Sequence, residues 1–119
     1  MDLKQRLEEL YTAELLIATF EDGLEKDRQL YNSLPSALAE VEQNHLKHIE
    51  ELREQQRATL ELIDKLDNPI YQTLLLERYR NGRSWKEVAG IINYSLTTTY
   101  RLHKQALERL EVIYEQETN

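Results

Sequence analysis

Thr97, Thr98, Tyr100 and Arg101, followed by Lys104, set hydroxyls, a guanidinium and an ammonium within one short stretch of chain. Their chemistry is recognition rather than turnover. A guanidinium bonds guanine through two parallel N–H groups, and a threonine or leucine methyl touches the methyl of thymine. With Leu96, the residues Thr97, Thr98, Tyr100 and Arg101 are the candidate base contacts of a helix entering the major groove of duplex DNA. Arg83, Ser84, Lys86, Ser95 and Lys104 are the candidate phosphate contacts, helped by the free N–H groups that open each helix. Catalysis has no comparable set. There is no Ser-His-Asp arrangement, glycine-rich phosphate loop or metal motif, so neither an enzyme nor a cofactor is expected. His45 and His48, with Glu42 nearby, lack a fourth ligand and read as a polar layer between helices. His103 reads as a phosphate contact or an exposed side chain, and Trp85 as packing at the start of a support helix.

The elements that hold these residues are legible from caps and periodicity. Ser84-Trp85-Lys86-Glu87 is a capping box, which opens a short helix ending near Ile92. Asn93-Tyr94 makes a tight turn in which Asn93 can take a left-handed conformation. Ser95 is the N-cap of the next helix, running through Leu102, Ala106, Leu110 and Ile113 to about Tyr114. Two helices so joined form a helix-turn-helix, closed by Val88, Ala89 and Ile92 against Thr99, Leu102 and Ala106. A further helix precedes them, with Asn68 as N-cap and Pro69 in the first position, and Asn81-Gly82 ends it.

The first half is broken once, at Asn32-Ser33-Leu34-Pro35-Ser36. Before the break, Leu10, Ala13, Ile17, Phe20, Leu24, Tyr31 and Leu34 recur in three- and four-residue steps. After it, Leu38, Val41, His45, His48, Leu52, Gln55, Thr59, Leu62 and Leu66 do the same, widened by Leu46, Ile49, Leu60 and Ile63. This spacing predicts two amphipathic helices folded back as an antiparallel, coiled-coil-like hairpin. The fold class is therefore all-α: a long helical hairpin over residues 1–66, then a three-helix helix-turn-helix domain over 67–119.

Composition sets the outer limits. The 119 residues include no cysteine, which excludes disulfides and thiolate metal sites. Apolar runs are too short to span a membrane and no leader pattern opens the chain, so a cytoplasmic protein without a membrane partner is expected. The net charge of −7 argues against a nucleic-acid partner, but its distribution argues for one. Residues 1–66 hold 15 acidic and 8 basic side chains, whereas 67–119 hold 7 of each. Between positions 78 and 104 stand Arg78, Arg80, Arg83, Lys86, Arg101 and Lys104 against Glu87 alone. Such a local excess attracts phosphates whatever the total.

The run Leu76-Glu77-Arg78-Tyr79-Arg80, then Ser84 to Ala89, then Tyr94-Ser95 through Leu107 resembles region 4 of bacterial sigma factors. More narrowly, it is similar to the phage and mobile-element late transcriptional regulators of the ArpU and RinA type, which carry such a motif at the C-terminus. The resemblance covers about residues 67–110. It implies that Thr97, Thr98, Tyr100 and Arg101 meet the major groove and that Arg83, Ser84 and Lys86 touch the backbone. Asn93 stands where a glycine is common, Thr99 where Val or Ile is usual, and Gly90 lies inside a helix. The implied function is sequence-specific transcriptional regulation of phage or mobile-element genes. The acidic hairpin would then serve a partner, either a second copy of the chain as a homodimer or RNA polymerase. Two other functions fit parts of the pattern: a small terminase subunit for DNA packaging, and an interaction protein such as an anti-activator that binds no DNA.

Overall fold

The computed structural model describes residues 2–118. Five α-helices follow one another: α1 (Leu3–Leu30), α2 (Pro35–Asp64), α3 (Pro69–Leu75), α4 (Trp85–Ile92) and α5 (Leu96–Thr118). A π-helical turn, Leu76–Arg80, continues α3. No strand occurs among the described residues, and the chain is all-α. Among the described residues no helix is long and apolar enough to cross a membrane.

Contacts divide the chain into two compact units, one of residues 12–57 and one that joins residues 1–11 to 58–119. In the first, α1 and α2 run antiparallel, as their cross-links show: Arg28 meets Glu42 at 3.0 Å, Arg53 meets Glu21 at 2.9 Å, and Gln56 donates to Glu14 at 3.0 Å. The turn between them is closed by the Leu34 N–H donating to the Tyr31 carbonyl, and Pro35 starts α2, where no N–H is needed. Ala13, Ile17, Leu24 and Ile49 are buried along the seam.

The second arm turns a different edge inward than a strict heptad predicts. His48 and Gln55 are exposed, while Ile49 and Gln56 are buried in their place. Ile49, Gln56 and Ile63 recur every seven residues, as do Thr59 and Leu66, so the period is the predicted one and the helix is rotated to bring the neighbouring residue inward. His45 keeps its place in the polar layer, partly buried with Nδ1 3.6 Å from an Asp27 oxygen and its ring tilted against Phe20. His48 stacks on Phe20 at 5.2 Å between centroids.

The second unit is built around a core to which both ends of the hairpin contribute. Leu3, Leu7 and Leu10 come from α1, and Leu62, Ile63 and Leu66 from the end of α2 and just beyond it. Leu74, Leu75, Tyr79, Val88, Ala106 and Leu110 complete it. Leu3, Leu7 and Leu10 sit at i, i+4 and i+7 and present one stripe. Fully burying a leucine is worth about 1.5–3 kcal/mol, so three amount to a large share of the roughly 5–15 kcal/mol that holds a domain together. The start of α1 is thus a structural part of this unit. The connection from α2 to α3 is secured by Gln72, whose side-chain amide donates to the Leu66 and Asp64 carbonyls at 2.6 and 3.1 Å. One carbonyl belongs to the last residue of α2 and the other lies just past it, where the helix supplies no donor. At the far end of α5, Lys65 pairs with Glu117 at 2.7 Å and the Arg6 guanidinium lies over the Tyr114 ring. The helix runs to Thr118, a turn beyond the sequence expectation.

Candidate nucleic-acid interface

Each junction of the three-helix segment is fixed by a local hydrogen bond. Asn68 accepts from the Ile70 N–H at 2.9 Å and caps α3, with Pro69 in the first position. At α4 the capping box is complete: Ser84 Oγ accepts from the Glu87 N–H at 3.2 Å, and a Glu87 carboxylate oxygen accepts from the Ser84 N–H at 3.1 Å. Those bonds, with Arg83 alongside, hold the Glu87 carboxyl below its ordinary pKa. Asn93 closes α4 at φ 63°, ψ 44°, the left-handed conformation that a glycine more often fills. Its short polar side chain tolerates that region better than most. Ser95 caps α5, accepting from the Thr98 N–H at 3.1 Å while its hydroxyl donates to Thr98 Oγ1 at 3.0 Å.

The two helices are locked by a small core. Val88, Ala89, Thr99 and Ala106 are buried, with Ile92 and Leu102 packed at its edge. Thr99 is wholly buried, and its hydroxyl donates to the Ser95 carbonyl at 2.8 Å. A polar atom at an apolar position is thereby satisfied by the turn before it.

With Thr99, Ala106 and Leu110 facing in, the opposite side of α5 is open. Thr97, Arg101 and Lys104 lie at i, i+4 and i+7 on that side and are exposed. Leu96 and Tyr100 are also exposed, at 43% and 48%. Thr98 is half-buried and its hydroxyl is engaged by Ser95. Ser84, Lys86 and Ser95 are exposed. Among the described residues no carboxylate pairs with Lys86, Arg101 or Lys104.

Arg83 is differently placed. Its Nε donates to Glu77 at 2.7 Å and a terminal nitrogen lies 3.5 Å from Glu87. Glu77 precedes the basic run by a single position, so the excess of charge counted from position 78 is reduced by a partner just outside it. Arg78 is turned toward Trp85. Its guanidinium stacks 4.7 Å above the Trp85 ring and donates to the Arg83 carbonyl at 2.9 Å. Among the described residues, Lys86, Arg101 and Lys104 are left without a carboxylate on the candidate surface.

His103 departs from expectation. It is neither exposed nor a cation available to a phosphate. Its Nε2 shares a hydrogen bond of 2.7 Å with the Tyr79 hydroxyl, and its ring lies 4.4 Å from that of Trp85. Burial, helped by the nearby charges of Lys4 and Arg78, lowers its pKa to about 4. The imidazole is neutral at pH 7. Tyr79 is likewise held as the neutral phenol, its pKa raised mainly by burial. Trp85 packs edge-on against Tyr100 at 5.6 Å, which joins the start of α4 to the exposed face of α5.

The π-helical turn has no sequence signature. There the Asn81 N–H reaches back to the Leu76 carbonyl at 3.0 Å, five residues away. The extra residue rotates the helix end, and the turn carries Tyr79 into the core and Arg78 onto Trp85. Gly82 follows at φ +67°, with the Tyr11 ring filling the space where a Cβ would stand.

Comparison with known proteins gives one match. No curated protein and no solved structure matches the chain. Residues 10–111, the greater part of both units, match DUF1492, a family described as proteins of unknown function. The chain belongs to the DUF1492 family.

Proposed function

We propose that this protein is a sequence-specific duplex-DNA-binding regulator of transcription, which reads the major groove with the first turns of α5. The observation that carries the proposal is the exposed Thr97–Arg101–Lys104 stripe, two of whose members are cations without carboxylate partners. It lies on a helix whose opposite face is locked to α4. A recognition helix needs that combination: a fixed orientation, exposed donors, and positive charge left for DNA. Leu96, Thr97, Tyr100 and Arg101 would meet base edges, and Lys86, Ser84 and Lys104 the flanking phosphates. Thr98 and Arg83 contribute less, one bonded to Ser95 and the other paired with Glu77. The similarity to the ArpU and RinA regulators suggests phage or mobile-element genes as the target. The acidic hairpin would carry a second copy of the chain or RNA polymerase and keep nonspecific binding weak by repulsion.

Arg101→Ala is the direct test of this orientation. It should weaken binding to the preferred sequence by roughly 1–3 kcal/mol and relax the choice of base at a single position. Affinity and base preference equal to wild type, measured by fluorescence anisotropy on a set of single-base variants, would contradict it.

A further inference from the structure

A cleft of about 530 Å³ opens beside the candidate reading face, within the unit formed by residues 1–11 and 58–119. Lys4 and Glu8 of α1, Arg78 of the π-helical turn, Trp85 of α4 and Tyr100 of α5 line it. Tyr100 ties it to that face, since it lies three residues after Thr97 and four before Lys104 on the same side of α5. Two cations converge on the cleft against a single carboxylate, Glu8. Among the described residues Lys4 has no carboxylate partner. Arg78 directs one terminal nitrogen to a backbone carbonyl and its face to Trp85, so other N–H groups remain. Burial is the main cause of the depressed His103 pKa, and the charges of Lys4 and Arg78 add to it.

We propose that this cleft seats a backbone phosphate of the bound duplex between Lys4 and Arg78, which makes the first turn of α1 part of the DNA interface. The inference rests on the DNA-binding reading and extends it to a residue far away in sequence. A phosphodiester suits the site better than a free small anion. The cleft carries a net charge of only about +1 from Lys4, Arg78 and Glu8, too little to concentrate a free ligand from solution, whereas a duplex docked on α5 brings its phosphates alongside. In the helix-turn-helix mode the helix before the recognition helix lies across the backbone at the groove edge, and Trp85, which lines the cleft, is the first residue of that helix here.

The test compares wild type, Lys4→Ala and Glu8→Gln on fluorescein-labelled duplexes of mixed and of selected sequence, with affinity measured against salt concentration. Lys4 and Glu8 are exposed, and thermal melts establish that both variants stay folded. Lys4→Ala should weaken binding to every sequence alike and lower the slope of log affinity against log salt by about 0.9, the loss of one phosphate contact. Glu8→Gln should tighten binding to both duplexes. Wild-type affinity and slope in both variants, with wild type itself binding DNA, would overturn the inference and leave the DNA-binding reading intact. A wild-type protein that binds no duplex would overturn both.

Discussion

Thr99 and Gly90 show how single residues in this motif are tolerated for different reasons. Thr99 is accepted in the core because its hydroxyl finds the Ser95 carbonyl at 2.8 Å. Gly90 has no such reason: it lies within α4, and a Cβ added there would meet nothing within 4 Å. Glycine loses more backbone entropy on folding than alanine does. Gly90→Ala should therefore stabilise the protein by about 0.5–1 kcal/mol, seen as a raised midpoint in thermal or urea unfolding. His103 yields a prediction with a defined pH window. Its pKa falls from 6.5 to about 4 on folding, so the unfolded chain binds the proton more readily. The stability contributed by the neutral ring is fully present above pH 6.5 and is lost as pH drops from 6.5 toward 4. Unfolding measured across that window should show a smaller loss in His103→Gln than in wild type.

Among the elements, those announced by local chemistry were legible in the sequence. The caps at Asn68, Ser84 and Ser95 and the left-handed Asn93 each follow from one residue's own hydrogen bonding or backbone tolerance, and each stands where the residues predict. The exposed side of α5 was legible too, because its apolar residues recur at helical spacing. What escaped were features set by how side chains and helix ends settle against their neighbours, which residue types and spacing do not announce. The π-helical turn is one, since nothing in Leu76–Arg80 distinguishes it from an ordinary helix end. The pairing of Arg83 with Glu77 is another; a charge count cannot say which cations are already occupied. The inward edge of α2 shifted from His48 and Gln55 to Ile49 and Gln56 because the rotation of a helix is set by what it packs on. His103 departs from its expected exposure because its partner, Tyr79, lies 24 residues earlier.

At the scale of the molecule, the C-terminal unit cannot be cut from the chain at the hairpin's end. Leu7 is completely buried in its core, together with Leu3 and Leu10. Leu7→Ala should cost about 2–5 kcal/mol, whereas Leu15→Ala, 51% exposed on the same helix, should change stability by less than about 0.5 kcal/mol. Equal effects in chemical unfolding would show that α1 does not complete the unit. Charge is also divided at this scale, with the acidic surplus in residues 1–66, while Lys86, Arg101 and Lys104, which no described carboxylate pairs, stand on α4 and α5. Those cations and their neighbours on α5 are proposed to read DNA. A selection from randomised duplexes at about 0.15 M salt, run on wild type and on the Arg101→Ala/Lys104→Ala double variant, tests it most directly. The account predicts an enriched motif with wild type that the folded double variant fails to recover. No enrichment with wild type, or the same motif with both proteins, would contradict it.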